Sequence, residues 1–135
     1  MWLPDTNVWI ALINPRPSLV KQRFESRTPD RIFLCDVVQA ELYYGAFRSA
    51  RRDENLALLL RLFSTFASLP FDSTAARACG EIRATLAISG TPIGPYDLQI
   101  AAIALTRGLN VVTHNSVEFS RVPGSSVFRG AGLSG

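Results

Sequence analysis

Three acidic residues of this chain stand in apolar company, where an ordinary surface acid would not. Asp5 follows Trp2-Leu3-Pro4 and precedes Thr6-Asn7-Val8-Trp9-Ile10. Glu41 has Val37, Val38, Tyr44 and Gly45 as its i±3 and i±4 neighbours on a helical segment from Asp36 to Ala50. Asp97 lies in Gly94-Pro95-Tyr96-Asp97-Leu98, at the start of a run that is apolar nearly all round. A carboxylate on an apolar stripe is costly unless it is paired or bound to a cation. Each acid also has an ordinary reading: Asp5 as a helix N-cap, Glu41 in a buried pair with an arginine, Asp97 as a first-turn acid complementing a helix dipole. Taken together they predict more. Carboxylates gathered in one place repel one another unless a cation is present, and oxygen donors select Mg²⁺ or Mn²⁺ over Zn²⁺. A zinc centre is not supported by one histidine, His114, and two well-separated cysteines, Cys35 and Cys79. No Walker loop or G-x-G-x-x-G is present, and His114 reads as a loop histidine rather than a base.

The elements that must position these acids follow from apolar periodicity. Strand candidates are the stub Trp2-Leu3, then Phe33-Leu34-Cys35, Ala67 to Phe71, Leu109 to Thr113 and Ser126 to Phe128. Helices are expected over Asn7 to Ile13 and from the cap Ser18 to about Arg27. Another runs from Asp36, with Gln39 completing a capping box. Asp53 can cap a segment with Leu56, Leu59, Leu60 and Phe63 at helical spacing, and Asp72 a segment that Gly90 ends. A further helix covers Leu98 to Thr106, and a polar segment, Thr113 to Phe119, leaves the Leu109 strand. The order β-α-α-β-α-α-β-α-α-β-α-β favours an α/β fold with a parallel sheet between helices. Such sheets bind ligands at the carboxyl ends of strands, near the point where strand order reverses.

With 135 residues the chain is the size of one domain, and 47% hydrophobic against 19% charged residues excludes a disordered chain. No stretch is long enough for a membrane span, and the start has no basic lead or apolar signal core. The cysteines form no secretory framework and read as buried thiols of a cytoplasmic protein. The net charge is +3, and Lys21 is the only lysine among 14 cations. Arginine favours bidentate phosphate contact; a GC-rich genome accounts for the bias equally well.

The constellation resembles the PIN-domain ribonucleases, specifically the VapC-type toxins of bacterial toxin–antitoxin pairs. The segments that carry the resemblance are Pro4-Asp5-Thr6-Asn7-Val8, Gln39-Ala40-Glu41-Leu42-Tyr43-Tyr44-Gly45-Ala46, Pro92-Ile93-Gly94-Pro95-Tyr96-Asp97-Leu98-Gln99-Ile100-Ala101-Ala102 and Val111-Val112-Thr113-His114-Asn115-Ser116-Val117-Glu118-Phe119. They span residues 1–129, leaving 130–135 as a loose tail. The resemblance implies a three-layer α/β/α fold with a five-stranded parallel sheet. It implies Asp5 and Asp97 as direct ligands of Mg²⁺, with Mn²⁺ a substitute, Glu41 as the third acid, and Thr6, Asn7 and Thr113 as supporting polar groups. Asn115 stands where many PIN domains carry a fourth acid, and Glu118, three residues on, can substitute. A cognate antitoxin, a homodimer and a heterotetramer or larger assembly with the antitoxin are further implications.

The expected reaction is metal-dependent hydrolysis of RNA phosphodiesters, with Arg48, Arg51 and Arg52 as phosphate contacts or simply a solvated helix end. Trp9, Tyr43, Tyr44 and Phe47 could serve protein surfaces or pack in the core. A catalytically silent PIN-fold module that binds RNA or protein is the competing reading, and the intact acid trio argues against it. A phosphoacceptor domain would need a lysine beyond a late strand, which Lys21 is not.

Overall fold

The structure, a computed structural model, describes residues 1–25 and 29–129. The elements are β1 (Trp2–Pro4), α1 (Thr6–Ile13), α2 (Leu19–Glu25), a 3-10 turn (Pro29–Arg31), β2 (Leu34–Cys35), α3 (Asp36–Arg48), α4 (Arg52–Thr65), β3 (Ser68–Leu69), α5 (Ser73–Ile88), α6 (Pro95–Arg107), β4 (Asn110–Thr113), α7 (Ser116–Phe119) and β5 (Val127–Arg129). Apart from the 3-10 turn, their order is the one the periodicity predicts. The expected end of α2 at Arg27 and the 130–135 tail fall outside the described residues.

All strand pairs are parallel, but the five strands do not make the continuous sheet expected. They form a three-stranded ladder, β1-β4-β5, and a two-stranded one, β2-β3. Between β1 and β2 a single bridge, Trp2 to Ile32, is made, with Phe33 N–H donating to Trp2 C=O at 2.9 Å. Pro4 explains why the pairing stops there. Alternate residues of a strand face alternate neighbours, so Asp5 points its N–H at Val112 of β4, while Trp2 and Pro4 face β2. Proline has no N–H to donate, so the β1–β2 ladder ends after one rung.

After β1 the chain turns toward β2, and after β4 it turns toward β5 on the other side. The carboxyl ends of β1 and β4 therefore border the reversal point, and Asp5 and Thr113 lie there. Beneath them the core is apolar: Leu3, Val8, Leu34, Val38, Ile100, Ile103, Val111, Val112 and Phe119 are fully buried. Trp9 is buried too, at the edge of a ring contact with Phe66, and so is removed from the list of surface aromatics. Tyr44 and Phe47 are exposed, and Tyr43 packs against Phe63 at the boundary. Cys35 is buried, with its thiol pushed up to about 11 by burial; Cys79 is half-buried, and both are free. No described helix is long and apolar enough to cross a membrane.

Two helix starts differ from expectation. Cys35, not Asp36, is the N-cap of α3, so the capping box does not form; the Asp36 carboxylate accepts instead from Ser68 Oγ of β3 at 2.7 Å. Arg51 precedes α4, and Asp53 sits inside its first turn. Asp72 does cap α5, accepting from Ala75 N–H at 2.9 Å. Gly90, at φ +70°, closes that helix, with Thr91 N–H donating to Leu86 C=O and Gly90 N–H to Ala87 C=O. Pro95 opens α6 at a position where its missing N–H costs nothing.

Asp72 also meets Arg107, at the end of α6, across 3.2 Å with both side chains substantially exposed. Asparagine caps as well as aspartate, whereas an exposed ion pair contributes little. Asp72→Ala should lower unfolding stability by about 1 kcal/mol and Asp72→Asn by less than about half of that, measured by urea denaturation.

Candidate active site

Asp5 is both a helix cap and a site residue. Its backbone is extended at the end of β1, and Oδ1 accepts from Val8 N–H of α1 at 3.0 Å. Oδ2 accepts from Thr113 Oγ1, at the end of β4, at 2.6 Å. The carboxyl is 5% exposed. Burial raises its pKa, against the opposing pull of the Thr113 hydroxyl, the Val8 N–H, the positive field of His114 and the Asn7 N–H. The cap thus does not compete with the site reading; it fixes the carboxylate in place.

Thr6, the next residue, donates through Oγ1 to Glu41 Oε1 at 2.6 Å. This bond ties α1 to α3 and orients the half-buried Glu41. The arginine pairing considered for Glu41 is not what the structure shows. Among the described residues the ion pairs are Arg51–Glu54, Arg52–Asp53 and Arg107–Asp72, all remote from these acids.

Asp97 is the third residue of α6 and is half-buried. Burial, and then the negative fields of Glu118, Asp5 and Glu41 in that order, push its pKa up to about 6. No described residue donates a hydrogen bond to its carboxylate. Glu118 is anchored beside it: Oε1 accepts from Gly94 N–H at 2.7 Å, and Oε2 accepts from the Asn115 side-chain amide. A Cβ placed on Gly94 would lie 3.7 Å from Glu118 Oε1 and 3.9 Å from Asp97 Oδ2, so both acids reach the same spot at the α6 N-terminus.

The expected acids and their polar neighbours lie around this crevice, in unequal positions, whereas Arg51 and Arg52 pair with Glu54 and Asp53 away from it. Thr113, fully buried, donates to Asp5 and accepts from Asn115 N–H at 2.8 Å. Asn7 is exposed, and its backbone N–H is the group that acts on Asp5. Asn115 supports Glu118. His114 is exposed, as a loop histidine should be, yet its charge is felt by Asp5. The Gly94 N–H that holds Glu118 was not foreseen: Gly-Pro signals a helix start, and a free backbone donor leaves no mark in a sequence.

The donor set suits a hard cation. The fields of three acids act on Asp97, and among the described residues no cationic side chain is paired with any of the four and none donates to the Asp97 carboxylate. Among the described residues no group of three or more His, Cys, Asp or Glu side chains is placed to hold a metal ion. Mg²⁺ is commonly held by one or two carboxylates and keeps several waters. Two carboxylates from this group, such as Asp5 and Asp97, could hold such an ion.

Residues 2–125 match the PIN domain family. The chain belongs to the PIN-domain family. Within it the likeness is to VapC proteins: the chain is 43% identical over 120 residues to a tRNA(fMet)-specific endonuclease VapC of Salmonella typhimurium, covering 89% of this chain and 90% of that one. A DNA-bound VapBC crystal structure from the same organism superposes with a TM-score of 0.88 at 40% identity, covering 96% of this chain and 97% of that one. VapBC-5 from Mycobacterium tuberculosis, a member of the VapBC family of toxin–antitoxin systems, gives a TM-score of 0.69 at 34% identity and 94% coverage of each chain. The acids of this PIN domain thus sit in a fold shared with VapC chains along nearly its whole length.

The raised Asp97 pKa has a consequence for stability without metal. The folded protein holds the proton more tightly than the unfolded chain, with its pKa near 3.8, so stability falls as pH rises from about 4 to about 6. Solvent screening of a half-buried group reduces the effect to about 1–2 kcal/mol. In EDTA, Asp97→Asn should therefore gain on the parent protein by that amount between pH 4 and pH 7, read by urea denaturation across the range. Equal pH profiles for the two proteins would show that the acids do not strain one another.

Proposed function

We propose that this PIN domain is an endoribonuclease that hydrolyses RNA phosphodiester bonds with a divalent cation, Mg²⁺ or Mn²⁺ in its place, and serves as the toxin of a toxin–antitoxin pair. The observation that carries the reading is the Asp97 carboxylate, with no donor among the described residues and in the negative fields of Asp5, Glu41 and Glu118, at the reversal point of the sheet. When bound, the cation supplies a lower pKa for water and neutralises charge on the phosphate oxygens. Asp5 and Asp97 would hold it. The bonds from Val8 and Thr113 keep Asp5 from rotating, so one arm of the site is rigid before RNA arrives. Glu41, itself oriented by Thr6, would hold a bound water or orient the attacking one. Glu118, held by Gly94 and Asn115, takes the place of a fourth acid. No covalent intermediate on the protein is required.

The VapC name of the Salmonella relative makes tRNA(fMet) the first RNA to test. The VapBC structures support an antitoxin as the protein partner, and a homodimer accords with the family. No observation favours the silent-module reading.

Cleavage of initiator tRNA and of total RNA should require Mg²⁺ or Mn²⁺ and stop in EDTA. Asp5→Asn and Asp97→Asn should each lose at least about 100-fold in rate, a loss of roughly 2.7 kcal/mol in transition-state stabilisation. Glu41→Gln should lose a comparable factor while keeping the bond from Thr6. Cleavage that persists in EDTA, or full activity in both aspartate variants with native circular dichroism, would falsify the mechanism.

A further inference from the structure

One face of α3 carries features that the cleavage chemistry does not use. Helical spacing lines up Glu41, Gly45 and Arg48 at i, i+4 and i+7, with Tyr44 beside Arg48. Tyr44 is 62% exposed. Arg48 Nη1 donates to the Tyr44 hydroxyl at 3.0 Å, and its guanidinium carbon lies 5.3 Å from the ring centroid. The two side chains thus form a ready-made pair, with donors of the guanidinium still open. Arg51 and Arg52 each have an acid within reach, Glu54 at 3.8 Å and Asp53 at 3.6 Å. Arg48 has no acidic partner among the described residues.

Gly45 is the second feature. Glycine inside a helix is destabilising relative to alanine. Its backbone is ordinary helix, since the positive φ angles belong to Gly90, Gly108 and Gly124. A Cβ built on Gly45 would meet nothing within 4 Å. Neither backbone conformation nor internal crowding calls for glycine here. It lies bare on the wall of a groove of about 400 Å³ that Glu41 also lines, between α1, α3 and α4. A bare helix backbone of this kind admits close approach from outside.

We propose that this face of α3 is the track along which the RNA strand runs away from the acids: ribose-phosphate passes over Gly45, a base stacks on Tyr44, and Arg48 binds a phosphate. The inference rests on the ribonuclease reading above and adds the binding residues to it. Arg48 lies seven residues beyond Glu41, roughly 10 Å along the helix axis, so the phosphate it holds is a neighbour of the one that is cut. Tyr44, Gly45 and Arg48 are binding residues, not catalytic ones. An arginine with no acidic partner among the described residues, set against one side of an aromatic ring that is otherwise exposed, is the chemistry of single-stranded nucleic acid binding, in which stacking tolerates any base and the cation follows the backbone.

The test uses the full chain in the cleavage-deficient Asp97→Asn background, with Mg²⁺ present and a fluorescein-labelled initiator tRNA as probe. Anisotropy titrations at several salt concentrations should show Arg48→Gln binding about five- to tenfold more weakly, with the slope of log K against log salt reduced by about 0.7, as expected for one lost single-strand phosphate contact. Tyr44→Ala should weaken binding about fivefold with an unchanged slope, and Tyr44→Phe should recover most of that loss. Gly45→Leu should weaken binding at least fivefold, while Gly45→Ala, which favours helix, confirms by its melting temperature that the position tolerates a side chain. In the cleaving protein, Arg48→Gln should raise KM and leave kcat within about threefold. Unchanged affinity and salt slope in both Arg48→Gln and Tyr44→Ala would overturn the proposal. So would a change in self-association or antitoxin binding with RNA binding intact, which would assign the face to a protein. A parent chain that neither binds nor cuts RNA overturns the ribonuclease reading and this one with it; a parent that binds while its variants match it overturns this one alone.

Discussion

A hydrogen bond 2.6 Å long between two buried side chains, Thr113 Oγ1 and Asp5 Oδ2, holds the working end of this molecule together. Its partners end two adjacent parallel strands whose connections leave in opposite directions, so the bond spans the crevice that the topology opens. On one side Asp5 caps α1, and Thr6, at the first position of that helix, reaches Glu41. On the other side Thr113 receives the N–H of Asn115, whose side chain supports Glu118. A buried carboxylate is tolerated when its lone pairs are satisfied. Here the donors come from two elements, α1 and β4, and tie both to the end of β1.

Asp97 is placed by a different logic. It projects from the first turn of α6, where the helix dipole favours negative charge, and the buried run Ile100 to Ala104 fixes the helix against the sheet. No donor to its oxygens is found among the described residues. The contrast between Asp5, with one donor on each oxygen and an acceptor position left on each, and Asp97, with none among the described residues, gives the site one rigid acid and one that depends on what it binds. Electrostatic preorganisation in active sites often takes this form, with charges held in place by the fold at some expense in stability.

Much of this was legible in the sequence because burial and charge conflict visibly there. Asp5, Glu41 and Asp97 stand out by their apolar neighbours, and the twelve-element order follows from helical and strand periods. The misses are nonlocal. Asp36 followed by Gln39 has the pattern of a capping box, yet a serine on β3, 32 residues away, takes the carboxylate instead. Trp9 has one polar atom and a large ring, and only packing against Phe66 decides that the ring goes inside. Its indole N–H finds no hydrogen-bond partner among the described residues. The Glu118 anchor depends on a backbone N–H, which every non-proline residue carries and no residue type announces. Pro4 was in plain view, but its effect on the sheet depends on which neighbour position 4 faces, a matter of register.

That proline divides the hydrogen-bonded framework. Glu41 rides on α3, which follows β2, and among the described residues β2 and β3 pair with each other and meet β1 through one rung. Asp5 and Asp97 belong to the other part, with β1, β4 and α6. Proteins open in cooperative units that need not include the whole chain. Because only one rung joins the two parts, the position of Glu41 relative to the two aspartates rests on side-chain packing and the Thr6 hydroxyl as well as on the sheet. Amide exchange in β2 compared with that in β4 would report on the two parts separately.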